Sequence, residues 1–311
     1  MGKKFSYLVY GLKVLSEIEC PELVAFDRLR EDEYDVLIEL NKVSSEIHEK
    51  ILDGRRSDYT NESMWFHIKD VATYWMRDGS SILIELCDGA NISMAKQYLL
   101  GSCLGMVMLQ RNMIAIHGGT IVFNHQGVIF TGDRGSGKST ITSALRLKGY
   151  PFVADDVSSI EAGTPHYIHP GFPQQKLCTD TMHQLGYKLD DYKTLMGDTQ
   201  IKYLIPAHES FVYDKVPLQG IVELKVNDAI DEIQVEVLKG QEKFMTIYNN
   251  IYRIEMKRFA GVNPEYFKKC VEIVKDIPVY RINRPKGVMT VDAQIKWLEE
   301  AFVVKEEKLE A

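Results

Sequence analysis

The chain has 311 residues, a length that predicts about two domains, each large enough to bury its own core. Its 37 Lys and Arg against 44 Asp and Glu leave a net charge of −7, which argues against a protein built mainly to grip nucleic acid, though not against a local basic patch. Apolar residues at 45% and charged residues at 26% are unlike disorder, and five scattered cysteines without a CxxC pair argue against a disulfide framework or zinc ribbon and fit a reducing cytosol.

Met1-Gly-Lys-Lys opens with charge, but polar and acidic residues soon interrupt the apolar ones that follow, so no signal peptide is expected. Residues 5–15 are rich in aromatic and β-branched types and predict a strand. Asp35–Leu40 and Ser81–Leu86 read the same way, with polar or Asp-Gly punctuation between them. The first part of the chain, residues 1–110, is therefore expected to be a strand-rich α+β domain ending in a linking helix. That helix is predicted over 91–110, where Ile92, Met94, Leu99, Leu100, Leu104, Val107 and Met108 recur at helical spacing. Gly101 and Gly105 on it either permit close packing or are merely tolerated. The most apolar stretch, Leu99–Leu109, is too short to span a bilayer, which predicts a soluble cytoplasmic protein with no membrane partner.

From residue 111 the pattern changes. Ile114-Ala-Ile116 predicts a short buried strand ending in His117-Gly118-Gly119. Thr120–Phe123 and Val128–Thr131 flank Asn124-His125-Gln126-Gly127 and predict a hairpin with Gly in the turn. A helix is expected over 139–148, stopped by Gly149 and Pro151, then a brief strand Phe152–Ala154 that delivers Asp155 and Asp156. Residues 196–209 and 217–226 mix strands and turns; 240–259, 264–276 and 290–311 have helical composition. No internal repeat or low-complexity tract is visible.

The strongest signal is Gly132-Asp133-Arg134-Gly135-Ser136-Gly137-Lys138-Ser139-Thr140, which satisfies GxxxxGK[ST] between a predicted strand and a predicted helix. Glycines let successive N–H groups turn inward around a phosphate, and the helix N-terminus adds partial positive charge. Lys138 then meets the β- and γ-phosphates and the Ser139 hydroxyl can ligate Mg²⁺. Asp155 and Asp156 follow at the end of a strand, where one carboxylate can hold magnesium and the other can accept a proton from an attacking hydroxyl; the same pair is also common as a solvated turn. His117 is a lone histidine at a strand end, structural or catalytic.

Together, His117-Gly118, a hairpin, the P-loop and Ala154-Asp155-Asp156 resemble the catalytic domain of HPr kinase/phosphorylase, a bacterial protein-serine kinase with a P-loop core related to phosphoenolpyruvate carboxykinase. The resemblance is specific over 111–160 and loose from there to about 290. It implies an α/β fold, with an HPr kinase/phosphoenolpyruvate carboxykinase-type P-loop domain over 111–311 and the smaller α+β domain before it. It implies ATP and Mg²⁺, a general base at Asp155, magnesium at Asp156 with Ser139, and a histidine near the phosphates at His117. Position 134 is Arg where the family usually has Ser. The family's glycine-rich segment after the Asp pair, which helps bind HPr and supports reverse phosphorolysis, is replaced by His169-Pro-Gly-Phe-Pro-Gln-Gln-Lys176. The chain looks more like a divergent branch, kinases encoded beside lasso-peptide precursors that phosphorylate a precursor's C-terminal serine. Tyr7–Ile18, Ile201–Pro206 and Val279–Pro285 carry that likeness.

The expected function is thus an ATP- and Mg²⁺-dependent serine kinase acting on a precursor peptide. Alternatives are HPr, a small-molecule hydroxyl such as free serine, or a nucleotide-sensing module without turnover. No nucleic-acid partner is expected, and a homo-oligomer is compatible with the sequence. Phosphoryl transfer calls for further cations. Arg134, Lys202, Arg253 and Arg281 are the candidates, with Lys202 and Arg253 singled out to stabilise phosphate. His166, His169, Cys178 and His183 have no standard zinc spacing.

Overall fold

The structure, a computed structural model, describes residues 3–27, 33–196, 201–261 and 264–303. Where the sequence suggests one strand over 5–15, Tyr10 and Gly11 take positive φ (55° and 80°) and fold it into an antiparallel hairpin of β1 (Phe5–Val9) and β2 (Leu12–Ser16). Two central residues at positive φ suit the right-handed twist of the strands they join. With β3 (Val24–Ala25), β4 (Val36–Leu40), β5 (Ser57–Tyr59), β6 (Ser63–Ile68), β7 (Ala72–Arg77) and β8 (Ser81–Leu86) they form one sheet in the order β3-β1-β2-β4-β8-β7-β6-β5. Helix α1 (Ser45–Leu52), N-capped by Ser44, sets Ile47 against Val43, Trp65 and Leu83.

The predicted linking helix is α2 (Ile92–Tyr98), a π-helical segment Leu99–Cys103 and α3 (Leu104–Gln110). The continuous run Ile92–Gln110 is longer than the apolar stretch the sequence marks out and, by length and composition, is long and apolar enough to cross a membrane. Leu104 to Leu109 are all buried within the protein, and Tyr74 from β7 donates to Ala95 O at 3.1 Å. Gly105 is not merely tolerated: a Cβ there would lie 2.5 Å from Tyr252 Cε1. Gly101 has ordinary room.

Grouped by contacts, the chain makes two units, Met1–Ala115 with Ile251–Val271, and Ile116–Asn250 with Glu272–Ala311. A single boundary at 110 therefore does not describe it. The break falls at Ala115, and residues 251–271 return to the first unit.

In the second unit β9 (Ile114–Phe123) is one ten-residue strand instead of two short ones, antiparallel to β10 (Gln126–Gly132). Gly118 lets it run on, since a Cβ there would meet Phe130 O at 2.1 Å. The hairpin turn is Asn124-His125, at φ 45° and 63°, and Gly127 lies in the strand instead, under Ile168. After α4 (Lys138–Leu147) come β11 (Phe152–Ala154), β12 (Val157–Glu161), β13 (Tyr167–His169), β14 (Gln174–Cys178), α5 (Thr179–Gln184), β15 (Lys193–Met196), β16 (Ile201–Pro206), β17 (Val216–Asn227) and β18 (Gln234–Val237). Then follow α6 (Gly240–Asn249), α7 (Ile254–Ala260), α8 (Pro264–Asp276), β19 (Val279–Pro285) and α9 (Val291–Phe302). The helix expected over 240–259 is thus two, parted where Arg253 sits at φ 57°. The part of the expected terminal helix beyond 303 lies outside the described residues.

The main sheet here runs β10-β9-β12-β13-β17-β19-β18, and β10 also pairs with β17 in parallel, so the order closes on itself. β14, β16 and β15 form a separate three-stranded sheet. Buried Gln175 fastens that small sheet to α4. Its Oε1 accepts from Ser143 Oγ (3.0 Å) and Arg146 Nε (2.7 Å). The chain is thus mixed α/β with two large sheets.

Candidate active site

β10 ends at Gly132, and the loop to α4 turns through three glycines at positive φ: Gly132 (131°), Gly135 (79°) and Gly137 (105°). A Cβ on Gly132 would lie 2.3 Å from Leu224 O on the neighbouring strand, so this position admits only glycine. Ser136 Oγ is buried with no hydrogen-bond partner among the described residues. Gly137 caps α4 without a side-chain bond, which leaves first-turn N–H groups unsatisfied. A buried hydroxyl lacking a partner, an uncapped helix start and glycines that free the backbone together fit a phosphate group. Lys138 Nζ donates to Gly132 O (2.6 Å) and Asp133 O (3.0 Å), so it is folded back on its own loop. Burial lowers its pKa, and the charges of Asp156, Asp133 and Asp155 oppose that. Asp133, Arg134 and Gly135 are exposed, and Ser139 is half-buried in the first turn of α4. Thr140 Oγ1 lies 3.1 Å from Thr181 Oγ1 of α5.

Asp155 and Asp156 stand in the bend between β11 and β12. Gly118 N donates to Asp156 O (3.1 Å), tying the bend to β9 beside His117. Gly119 keeps the space open, since a Cβ there would sit 3.2 Å from Ala154 O. The two carboxyls are treated oppositely. Burial, reinforced by the charge of Asp156, pushes Asp155 up to about 7. For Asp156 burial is outweighed by the charges of Lys176, His117 and Lys202, which hold it down at about 2. His117 Nδ1 lies 4.0 Å from Asp156 Oδ1, while its main-chain N–H donates to Asn250 O (2.7 Å).

Lys176 joins the site unannounced by the motifs. Its main-chain N–H donates to Asp155 Oδ2 (2.9 Å) and its Nζ to Asp156 Oδ2 (3.4 Å). Strand alternation explains why: Gln175 and Leu177 face inward, so Lys176 faces the other way, and among the described residues no strand covers the outer edge of β14. Lys202 lies opposite Cys178 in the register, on the face that carries Lys176, and its charge acts on Asp155, Asp156 and Lys138. The alternating run Gln174–Cys178 was the signal available for Lys176; without a pairing register nothing in the sequence aimed it at the aspartates.

The other cations part company with this group. Arg253 belongs to the first unit, donates to Ser102 Oγ (2.8 Å) and lies over the ring of Tyr252. Arg281 is enclosed by Glu223, Glu236 and Glu242, so its charge is already matched inside the protein. Arg284, which the sequence reading passes over, reaches the P-loop from β19. His166 pairs with Asp276 (3.2 Å) and His169 with Glu161 (2.7 Å), and Cys178 Sγ lies 3.3 Å from Thr181 Oγ1, each in separate surroundings. Among the described residues no three His, Cys, Asp or Glu side chains form a metal-holding group. Magnesium does not ask for one, since it is held through one or two carboxylates together with phosphate oxygens and water, and Asp156 with Ser139 can supply the protein's share.

No protein-family model matches the chain. Among curated proteins it is 26% identical to the HPr kinase/phosphorylase of Bordetella avium over 135 residues, 40% of this chain and 43% of that protein. It is 26% identical to the HPr kinase/phosphorylase of Nitrosomonas europaea over 169 residues, 51% of each. The chain spans about half or less of the length of these relatives. The solved HPr(Ser) kinase/phosphatase of Coxiella burnetii aligns with 60% of this chain and 94% of that one, at 13% identity and a TM-score of 0.29. Through its sequence relatives, over part of its length, the chain is similar to the HPr kinase/phosphorylase family.

Proposed function

We propose that the protein is an ATP- and Mg²⁺-dependent kinase that phosphorylates a serine hydroxyl of a peptide. The observation that carries this is the split aspartate pair. A sensor that only binds nucleotide needs one carboxylate for its metal, whereas here a second, Asp155, is held near 7, where a carboxylate can both accept and release a proton. When bound, Mg-ATP supplies the transferable phosphoryl group and the metal charge beside it. Lys138 and the loop N–H groups would hold the phosphates, and Asp156 and Ser139 would hold the metal. Asp155 would take the proton of the serine hydroxyl as its oxygen forms the new bond to phosphorus and the old bond to ADP breaks. Lys176 and Lys202 would offset developing negative charge, and His117 would steady Asp156.

The substrate reading adds the resemblance to lasso-peptide precursor kinases. The segment after Asp156, with Pro165, Pro170, Phe172 and Pro173, does not have the glycine-rich character the HPr-directed family uses. The precursor's C-terminal serine is the acceptor proposed. HPr is the second reading, favoured by the names of the sequence relatives. Calorimetry with ATP and Mg²⁺ tests the nucleotide half. Lys138→Ala should abolish measurable affinity without changing the fold, and unchanged affinity in that variant would defeat the P-loop assignment.

A further inference from the structure

Arg284 is the last residue but one of β19 and stands opposite Val226 of β17, whose own neighbour on the far side is β10. All three strands run in parallel, and β17 and β19 continue past Leu224, the partner of Gly132, so Arg284 arrives at the level of the loop that follows Gly132. Its Nε donates to Ser136 O (2.6 Å), its Nη2 to Gly135 O (3.0 Å) and its Nη1 to Pro285 O (3.5 Å). Its guanidinium also lies against the bare Cα of Gly137, where a Cβ would come within 3.3 Å of Nε. The contrast with Arg281, three residues earlier and enclosed by glutamates, is informative. Among the described residues Arg284 has main-chain carbonyls as partners and no carboxylate, although burial weighs against its charged form. An arginine stays ionised in proteins, so this charge is left for something else to balance.

Resting on the nucleotide reading above, we propose that Arg284 is a positioning residue of the phosphate site. Its planar fork grips the carbonyls of Gly135 and Ser136 on the outside of the loop. A peptide plane has its C=O and N–H on opposite sides, so holding the Ser136 carbonyl outward turns the N–H of Gly137 inward, while the Ser136 N–H donates to Asp133 O (3.1 Å) and braces the turn. The loop is thereby set for phosphate before any phosphate arrives, which spares binding the cost of ordering it. Lysine cannot replace this, because a single ammonium has no fixed fork to span two carbonyls.

The test uses the full-length protein with Arg284→Gln and Arg284→Lys. Amide hydrogen exchange over 132–137 is measured without nucleotide, ATP affinity by calorimetry, and KM and kcat on a peptide acceptor. Both variants should speed exchange in the loop and raise the ATP Kd and KM by about 10-fold or more, the size of a charge-assisted hydrogen bond. The melting temperature and the KM for the peptide should stay unchanged. Wild-type binding of ATP with unchanged exchange in the Gln variant, or full affinity restored by Lys, overturns the role of Arg284 and leaves the nucleotide reading standing. A wild-type protein that binds no ATP sinks the nucleotide reading and this inference with it.

Discussion

At the scale of single residues, the two aspartates make opposite statements about pH. Asp155 holds its proton more tightly in the folded protein than its ordinary value of 3.8 would allow, up to about 7. Between those values the folded state binds more protons than the unfolded one, so this carboxyl lowers stability as pH rises through that window. Asp156, held at about 2, gives stability that is present above its ordinary value and lost only as pH falls toward 2. Of the two aspartates, therefore, only Asp155 should act between about pH 4 and 7. Asp155→Asn should melt at a temperature less dependent on pH than the wild type, which differential scanning calorimetry can follow, and parallel pH profiles would mean that Asp155 is not so shifted. The same variant should keep ATP affinity and lose transfer by about 10²-fold or more, the scale of a general base. Wild-type kcat/KM should rise with pH and level off above about 7, since the base works only when deprotonated; a flat profile would place it elsewhere. The sequence singled out Asp155, Asp156 and Lys138 because motif and resemblance fix their spacing, and Lys202 only as one of several cations the chemistry would call for. Lys176 was hidden because a strand's facing is settled by a pairing register, and Arg284 because its partners are main-chain atoms with no motif of their own.

At the scale of elements, glycines and one buried amide decide placement. The turn Asn124-His125 shows how local chemistry can be misread: a glycine stood nearby, but the positive φ fell to Asn and His, and Gly127 was needed for the close approach of Ile168. Gly105 is the sharper case, invisible as a requirement until Tyr252 is brought against it. Gly105→Ala should cost on the order of 1–3 kcal/mol by overpacking, read from urea denaturation. Trimming the ring in a Gly105→Ala, Tyr252→Leu double variant should recover part of that loss, and strictly additive losses would show that the two do not touch. Gln175 fixes the small sheet on α4. Gln175→Leu should strip Ser143 and Arg146 of their acceptor, lower stability by about 1–3 kcal/mol and reduce phosphoryl transfer, because Lys176 moves with its strand. Full activity at normal KM would mean that β14 is held by something else.

At the scale of the whole molecule, the proposed acceptor is a peptide serine. Purified protein with ATP and Mg²⁺ should place phosphate on the terminal serine of a lasso-precursor peptide and leave HPr unmodified, with mass spectrometry of both as the readout. Phosphate on HPr and none on peptide would reverse the acceptor while keeping the kinase. The two-part organisation was legible from the change in pattern near residue 111, but the return of 251–271 was not, since a helical segment carries no label for the unit it joins. That return has a consequence for how the protein is made. The first unit is written in two pieces with the phosphate-loop segment between them, and Tyr252 reaches Gly105 only after residues 116–250 have been synthesised. At roughly 5–20 residues per second the ribosome holds the first unit unfinished for on the order of ten seconds, with the seat of that ring on α3 empty. Arrested nascent chains ending before residue 251 should therefore leave α3 open to protease, and chains extended past 271 should close it.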